Sequence, residues 1–264
     1  DLQRPFVWKD NKVRELLDSM LKGFPIGFVM LWESPAEFVN KKQIGNNDKD
    51  WQTPRDLVID GQQRLTALLA AIKGVQIRDV NYKERAIKIS FNPLKREFEV
   101  WSQAYERSQE WISAISEVFI AKDNNVVSKF RRNYIKQLND KRLKDGAQKL
   151  TDEEEIKIED NINDLLSLSD YVLPTLEIKS SANEEDVAEI FVRVNSGGQK
   201  LTEKNFIATL LAVYDNALHM SINQFCKESR IPKDGTSYNH IIEVDPVHII
   251  RATVGLAFKR ARLR

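Results

Sequence analysis

The chain has 264 residues, of which 42% are hydrophobic and 30% charged, so it can fold around a packed core. Its 40 basic and 39 acidic residues leave a formal charge of +1, so any nucleic-acid surface would have to be local. A single cysteine excludes an internal disulfide and a cysteine-rich zinc site, and three histidines give little support to a histidine-built metal site.

No apolar run is long enough to cross a bilayer and no signal peptide opens the chain, which predicts a soluble, cytoplasmic protein without a membrane partner. The sequence opens at Asp1 without an initiator methionine and stops at Arg264, directly after a helical pattern. We therefore expect a fragment, or the ordered part of a longer protein.

The first predicted elements are a helix and a strand. Asp10 is expected to cap the helix, and Gly23 suits its end because glycine readily adopts the left-handed conformation. An apolar run over residues 28–32 predicts a buried strand, and residues 33–55 predict a polar loop. The apolar positions of the helix recur at three-and-four spacing: Val13, Leu16, Leu17, Met20 and Leu21.

A strand, a sharp turn and a second helix are predicted around Asp60. Residues 57–59 form an apolar strand candidate, and Gly61 permits a tight turn after it. Farther along, residues 86–91 and 98–101 alternate apolar and polar side chains, which predicts an antiparallel pair. The second helix is expected to bury one face: Leu65, Leu68, Leu69 and Ile72.

The rest of the chain is mostly helical in pattern. Residues 103–170 predict helices with charged faces, and Thr151 with Glu154 has the spacing of a capping box. Residues 171–178 predict another strand, and Asn183 is expected to cap the helix after it. These elements favour a long helical region that is followed by a return to the sheet.

Together the elements predict an α+β fold with a small mixed sheet near the N-terminus, a helical insertion, and C-terminal helices closing over the sheet. We expect residues 1–102 to form the core, residues 103–170 the insertion, and residues 171–264 the strand and helices that complete the same domain. A last helix from about Pro246 ends in a basic cluster: Lys259, Arg260, Arg262 and Arg264.

The segment with the most chemical potential is Asp60-Gly61-Gln62-Gln63-Arg64. A helix that begins here would present unpaired amides and a positive dipole end, which favour phosphate. Arg64 adds a permanently charged fork for phosphate oxygens, and Gln62 or Gln63 can orient an oxygen or a water. Asp60 can hold Mg²⁺ or position the arginine. The alternative is a capped helix start in which Arg64 pairs with Asp60 and no ligand binds.

Two further segments have the residue types of an anion site. Arg4, after Gln3, would supply a second cation to the same anion, or pair with a surface carboxylate. The run from Asn195 through Gly198 to Lys200 would form a concave row of amides, or an ordinary turn between helices.

Three other features have weaker signals. Arg260 and Arg262 would contact DNA phosphates, or belong to a solvated helix face. His248 is expected in the core or on a helix face, and Cys226 is expected to be structural because no activating residue pattern surrounds it.

Four segments, in this order, resemble the N-terminal domain of the GmrSD family of type IV restriction enzymes. They are QRPFVW at 3–8, LKGFPIG at 21–27, DGQQRLT at 60–66 and FVRVNSGGQKLT at 191–202. DGQQR is the most specific of them, and together they span most of the chain. The resemblance implies a core related to ParB and sulfiredoxin, in which a strand-turn-helix holds nucleotide phosphates.

The resemblance also implies hydrolysis of a nucleoside triphosphate, with Mg²⁺, in the restriction of modified phage DNA. DGQQR is the hydrolysis motif of that family, so the implied catalytic residues are Asp60, Gln62, Gln63 and Arg64, with Asp60 also the metal ligand. The implied nucleotide-binding residues are Gln3, Arg4, Gly61, Arg64, Thr66, Asn195 and Gly198. Relatives carry, or work with, an HNH-type nuclease domain. This chain shows no HNH arrangement, so we expect it to bind nucleotide and report to a separate nuclease, in the same or a partner chain.

Two other functions stay open from the sequence. One is a non-catalytic module that senses modified DNA and binds it regardless of nucleotide. The other is a nuclease in its own right, which predicts metal-dependent cleavage that is lost when Asp60 is changed. The preferred base, the DNA modification and the number of subunits, including a homo-oligomer, are not determined by these residues.

Overall fold

The structure is a computed structural model that describes residues 6–33, 56–79, 83–195, 216–230, 235, 238 and 241–259. The described helices are α1 (Asp10–Leu21), α2 (Gln62–Lys73), α3 (Gln103–Arg107), α4 (Ser116–Asp123), α5 (Val127–Lys144), α6 (Asp152–Ser167), α7 (Glu184–Asn195), α8 (Asn216–Glu228) and α9 (Pro246–Phe258). The described strands are β1 (Val29–Glu33), β2 (Asp56–Asp60), β3 (Ile77–Arg78), β4 (Glu84–Arg85), β5 (Ile89–Asn92), β6 (Glu97–Val100) and β7 (Thr175–Ile178). This mixture of helices and small sheets confirms the α+β class.

The chain divides into two compact units, and each is built from segments that are distant in sequence. The sheet unit comprises Asp1–Pro5, Val29–Gln62 and Thr175–Arg264, and the helical unit comprises Phe6–Phe28 and Gln63–Pro174. One boundary between them falls one residue into α2, between Gln62 and Gln63. The three-part division at residues 102 and 170 stays a prediction.

The sheet unit contains a three-stranded mixed sheet in the order β2-β1-β7. The central strand β1 pairs antiparallel with β2 and parallel with β7, so that Leu31 lies opposite both Val58 and Glu177. The strands predicted over 28–32 and 57–59 are therefore confirmed. The one predicted over 171–178 is shorter and begins only at Thr175.

Two helices of the sheet unit, α7 and α9, begin where the sequence predicts, each after a residue that caps it. Asn183 accepts the Asp186 amide through its side chain at 2.9 Å, which makes it the cap of α7. Asp245 caps α9 in the same manner, accepting the Val247 amide at 2.9 Å directly before Pro246.

Helix α1 of the helical unit has the apolar face that its sequence predicts, since all five expected positions are buried. The helix ends at Leu21, and Gly23, directly after the cap residue, has a φ of +70°, which is the left-handed conformation expected there. The predicted cap is wrong. Lys9 occupies the cap position without a side-chain hydrogen bond, and Asp10 lies in the first turn, where it pairs with Arg85 at 2.6 Å.

Helix α2 buries a different set of residues from the predicted leucine face. Its buried residues are Ala67, Ala70 and Ala71, whereas Leu69 is 43% exposed. Leu68 and Ile72 are partly buried and pack against the core. The alanines form the inner face because a small side chain lets the helix axis approach its neighbours closely, which periodicity alone does not report.

The β5–β6 hairpin and the pair α5–α6 complete the helical unit. The predicted antiparallel pair is present, with Phe91 opposite Phe98; β5 is shorter than expected, and β6 has the expected length but begins one residue earlier. Helix α6 has the predicted capping box, in which Thr151 accepts the Glu154 amide and the Glu154 carboxylate accepts the Thr151 amide. The core of this unit draws on all its helices except the short α3, and on its hairpin.

Candidate functional site

The predicted strand, turn and helix around Asp60 are present. Strand β2 ends at Asp60, Gly61 has a φ of +94°, and α2 begins at Gln62. A Cβ added at Gly61 would lie 3.0 Å from Val29 Cγ2 and 3.3 Å from its Cα. Only glycine therefore suits this turn, on account of both its backbone angle and its close contact with β1.

Gln62 has one half of its side-chain amide satisfied and the other half not. Its Nε2 donates to the Val58 carbonyl at 2.9 Å, within the sheet unit. Its Oε1 is buried and meets no donor among the described residues. A buried acceptor without a donor costs about 1–3 kcal/mol, so such an atom calls for an explanation, such as a bound water or ligand.

Arg64 is half-buried in the first turn of α2 and is oriented by the loop that follows α1. Its Nη1 donates to the carbonyl of Phe28. The guanidinium lies against Gly27, where an added Cβ would stand 3.2 Å from Nη1 and 3.3 Å from Cζ. Gly27 also has a φ of +90°, so it gives the arginine a flat surface that no other residue type would leave.

Gly27 and the Phe28 carbonyl were not among the sequence-predicted site residues. The LKGFPIG segment supported the family resemblance, but no chemical role was assigned to its glycines. The available signal was a glycine directly before a predicted strand, a position that commonly marks a special backbone angle or a close contact. The partner in that contact could not be inferred, because Arg64 lies 36 residues beyond Phe28.

Gln63 uses its amide oxygen to hold another part of the helical unit. Its Oε1 accepts the backbone amide of Val7 at 2.9 Å. Val7 belongs to the QRPFVW segment, whose Gln3 and Arg4 lie outside the described residues. Gln63 thus fixes the chain three residues after Arg4.

The remaining predicted site residues are only partly described. Asp60 and Thr66 are both half-buried, Asp60 at the last position of β2 and Thr66 within α2. Asn195 ends α7, but its side chain is outside the described set. Gly198, Arg260 and Arg262 lie outside it as well. Within the described part of the chain, no group of three or more His, Cys, Asp or Glu side chains is arranged to hold a metal.

The structure shows the environments of Cys226 and His248, two residues with weaker signals in the sequence. Cys226 is fully buried in α8, and this burial raises the pKa of its thiol to about 11, so the reactive thiolate is scarce at neutral pH. His248 lies on an exposed face of α9, where its Nδ1 accepts the Asp245 amide at 3.3 Å as part of the helix cap. Among the described helices, none is long and apolar enough to span a membrane.

Comparison with known proteins identifies the family. The model of the N-terminal domain of GmrSD restriction endonucleases matches residues 1–212. The chain is also 27% identical over 215 residues to the uncharacterized protein MJ0686 of Methanocaldococcus jannaschii. That alignment covers 76% of this chain but only 37% of the relative, so the chain spans well under half the relative's length. Since the family model covers most of the chain, including all four segments of the resemblance, the chain belongs to the family of GmrSD restriction endonuclease N-terminal domains.

Proposed function

We propose that the segment from Asp60 to Arg64 binds a nucleoside triphosphate and hydrolyses it with Mg²⁺, as the nucleotide-dependent part of a modification-dependent restriction system. The contacts of Arg64 with Phe28 and Gly27 carry this proposal. They orient the guanidinium in the first turn of α2, through a hydrogen bond to the Phe28 carbonyl and a close contact with Gly27. An oriented cation at a helix N-terminus is a suitable partner for phosphate.

The hydrolysis reaction requires little covalent chemistry from the protein, which mainly positions the reactants and stabilises charge. A water oxygen forms a bond to the γ-phosphorus while the bond from that phosphorus to the bridging oxygen breaks, and the proton of the water passes to phosphate or solvent. Negative charge grows on the bridging oxygen as the bond breaks. Arg64 and the first amides of α2 would stabilise that charge, and an arginine in this role is worth roughly 10³–10⁵ in rate.

Gln62 is the residue that we assign to the attacking water. Its buried Oε1 meets no donor in the described part of the chain, and a bound water would supply one. Gln63 is less suited to this task because its own Oε1 already accepts the Val7 amide. We therefore assign Gln63 a positioning role, in which it holds the segment that carries Gln3 and Arg4.

Asp60 is the residue that would hold Mg²⁺. Protein sites for Mg²⁺ commonly use one or two carboxylates and leave the other positions to phosphate oxygens and waters, so a three-residue cage is not required. The unsatisfied oxygen of Gln62, two residues along, fits a site that is completed by a ligand. When bound, the ion would neutralise phosphate charge.

At the level of the whole protein, we propose that nucleotide turnover regulates or powers a separate HNH-type nuclease domain that acts on modified phage DNA. The membership of the chain in a restriction endonuclease family supports this proposal. We also propose that the β2–α2 turn is the phosphate site of a ParB- and sulfiredoxin-like core. Its strand, positive-φ glycine and helix N-terminus support that relation.

Phosphate release by the purified chain, with each nucleoside triphosphate and Mg²⁺, tests the proposal. Arg64→Ala should lower the rate of turnover by about a thousandfold or more. Arg64→Lys should retain a fraction of the wild-type rate, because lysine keeps the charge but lacks the planar fork. Arg78→Ala is the matched control, since Arg78 is an exposed arginine in β3. It should leave turnover unchanged.

Three results would separate this proposal from its rivals. No turnover by the folded wild-type chain, even with DNA present, would overturn hydrolysis and favour a sensing module. Turnover that survives Arg64→Ala would overturn the site. Metal-dependent cleavage of DNA by the chain alone, lost on Asp60→Ala, would instead make the chain a nuclease.

A further inference from the structure

Helix α5 carries an uneven distribution of charge. It contains seven basic residues and one acidic residue, although the whole chain has a formal charge of only +1. Its neighbour α6 is the reverse, with seven acidic residues and one basic residue. A nearly neutral chain therefore has a strongly basic element, which is the local basic surface that its net charge does not reveal.

Three of the α5 cations form a single stripe. Lys129, Arg132 and Lys136 follow i, i+3, i+7 spacing, which places them within roughly 60° of one another around the helix and about 10 Å from end to end. All three are exposed. The buried residues of the helix, Tyr134 and Leu138, lie on the opposite side, so this α5 stripe faces away from the core.

The stripe differs from two other basic residues of α5 in having no side-chain partner among the described residues. On the same helix, Arg142 forms a two-bonded ion pair with Glu154, and Arg131 donates to Asn163. The side chains of the stripe make no hydrogen bond or ion pair with any described residue. Their charge is thus available to a ligand outside the unit.

The position of Lys129 is also unfavourable for the helix itself. A cation in the first turn of a helix faces the positive end of the macrodipole, which costs about 0.3–1 kcal/mol. The first turn of α5 has no acidic residue and no side-chain cap to offset this. Helix α6, in contrast, has four carboxylates in its first turn: Asp152, Glu153, Glu154 and Glu155. A local departure of this kind is typical of functional surfaces.

We propose that the α5 stripe binds the phosphate backbone of DNA. A duplex presents one negative charge per ~1.7 Å of its axis, so a stripe of about 10 Å faces roughly six phosphate charges. An acidic protein is a poorer match, because protein interfaces have an apolar centre and the outward face here has none. The exposed residues between 128 and 137 are all polar or basic: Ser128, Lys129, Arg132, Asn133, Lys136 and Gln137.

The inference rests on the proposed function only in taking DNA as the partner, and it does not depend on nucleotide hydrolysis. It adds a surface in the helical unit to the C-terminal arginines that the sequence predicted. Backbone contacts of this kind position a protein on the duplex and carry no base specificity. The stripe therefore binds modified and unmodified DNA alike.

Fluorescence anisotropy of a 20-base-pair duplex, titrated with the 264-residue chain at several salt concentrations, tests the inference. The variant Lys129→Gln/Arg132→Gln/Lys136→Gln should bind at least about tenfold more weakly, and its salt slope should fall by roughly two to three, near 0.9 for each lost phosphate contact. Lys83→Gln/Lys95→Gln/Lys149→Gln removes the same charge from other exposed positions. This control should bind within about twofold of wild type.

Equal binding by the two triple variants would overturn the inference, and so would a wild-type chain that does not bind the duplex at low salt. Competition by polyglutamate as strong as by DNA would assign the stripe to an acidic protein instead. Phosphate release without DNA should be the same in the stripe variant and wild type. If wild-type turnover is absent while the DNA effect remains, the hydrolysis proposal fails and this one stands.

Discussion

Helices α2 and α6 begin in opposite ways. The first turn of α6 is satisfied by its own sequence, since Thr151 and Glu154 exchange hydrogen bonds. The first turn of α2 has no acidic residue. Its side chains instead reach distant parts of the chain, with Gln63 bonded to Val7 across 56 residues and Arg64 to Phe28 across 36.

The difference separates a structural helix start from one that is suited to a ligand. The carboxylates of α6 offset the positive dipole end, so a phosphate would meet like charge there. The first turn of α2 instead contains Arg64 and no carboxylate, and Oε1 of Gln62 is buried there without a donor among the described residues. The buried acceptor costs stability unless a water or a ligand group donates to it, and this favours the ligand site that we propose at the start of α2.

Of the substitutions that test this contrast between α2 and α6, Gly27→Ala is expected to have the largest effect on phosphate release. The new Cβ would stand 3.2 Å from Nη1 of Arg64, so the guanidinium would have to move. A displacement near 1 Å in a catalytic group can cost about a hundredfold in rate. We therefore expect phosphate release to fall by about 10- to 100-fold, as measured by initial rates at saturating nucleotide.

Gly23→Ala is the matched control for that substitution. Gly23 has a similar positive φ, +70° against +90°, but a Cβ there would meet nothing within 4 Å. Both variants should lose about 1–2 kcal/mol of stability from the left-handed backbone, while only Gly27→Ala should lose turnover. Equal loss of turnover in the two variants would mean that strain, and not the position of Arg64, limits the reaction.

Substitutions of Gln62 and Gln63 are expected to have smaller effects, and each should change a different kinetic constant. Gln62→Ala should lower kcat by about tenfold or more, as expected when a water-positioning group is lost, with little change in KM. Gln63→Ala should chiefly raise KM, because it frees the segment next to Gln3 and Arg4. Steady-state kinetics of both variants separates the roles, and a larger fall in kcat for Gln63→Ala would reverse the assignment.

Local patterns predicted several elements well. The five apolar positions of α1, the strand before Asp60 and the capping box at Thr151 all depend on neighbours within a few residues, and all are confirmed. Periodicity failed where the distance between packed elements decides which face of a helix is buried. In α2 the alanines are buried and Leu69 is exposed. The family itself was also inferred correctly, from motifs dispersed over most of the chain.

The contacts that orient the site could not be predicted in the same way. The surroundings of Arg64 depend on a glycine and a carbonyl that belong to a loop far away in sequence, and no periodic pattern encodes such a pair. Asp10 failed as a cap for a related reason, because its carboxylate is engaged by Arg85, 75 residues away. Tertiary partners decide which of several locally acceptable roles a polar side chain takes.

The smallest effect is expected at Glu154, in the first turn of α6. It tests whether this helix start serves stability alone. Its two hydrogen bonds from Arg142 hold the pKa of this carboxyl below its ordinary value of 4.5. A carboxyl with a depressed pKa in the folded state contributes stability above its ordinary pKa, and that stability is lost as the pH falls through the folded value. Glu154→Gln keeps the capping geometry but removes the charge, so it should be less stable than wild type at pH 7 by under about 1 kcal/mol.

As the pH falls below 4.5 and through the depressed pKa of the folded carboxyl, the unfolding curves of wild type and Glu154→Gln should converge, since the wild-type carboxyl then becomes protonated too. Phosphate release at neutral pH should not differ between them, because a helix start that is satisfied internally has no ligand to lose. A fall in turnover would show that α6 also contributes to the reaction and that the contrast with α2 does not separate structure from function. A stability difference that persists at low pH would instead assign the effect of Glu154 to packing, and not to its charge.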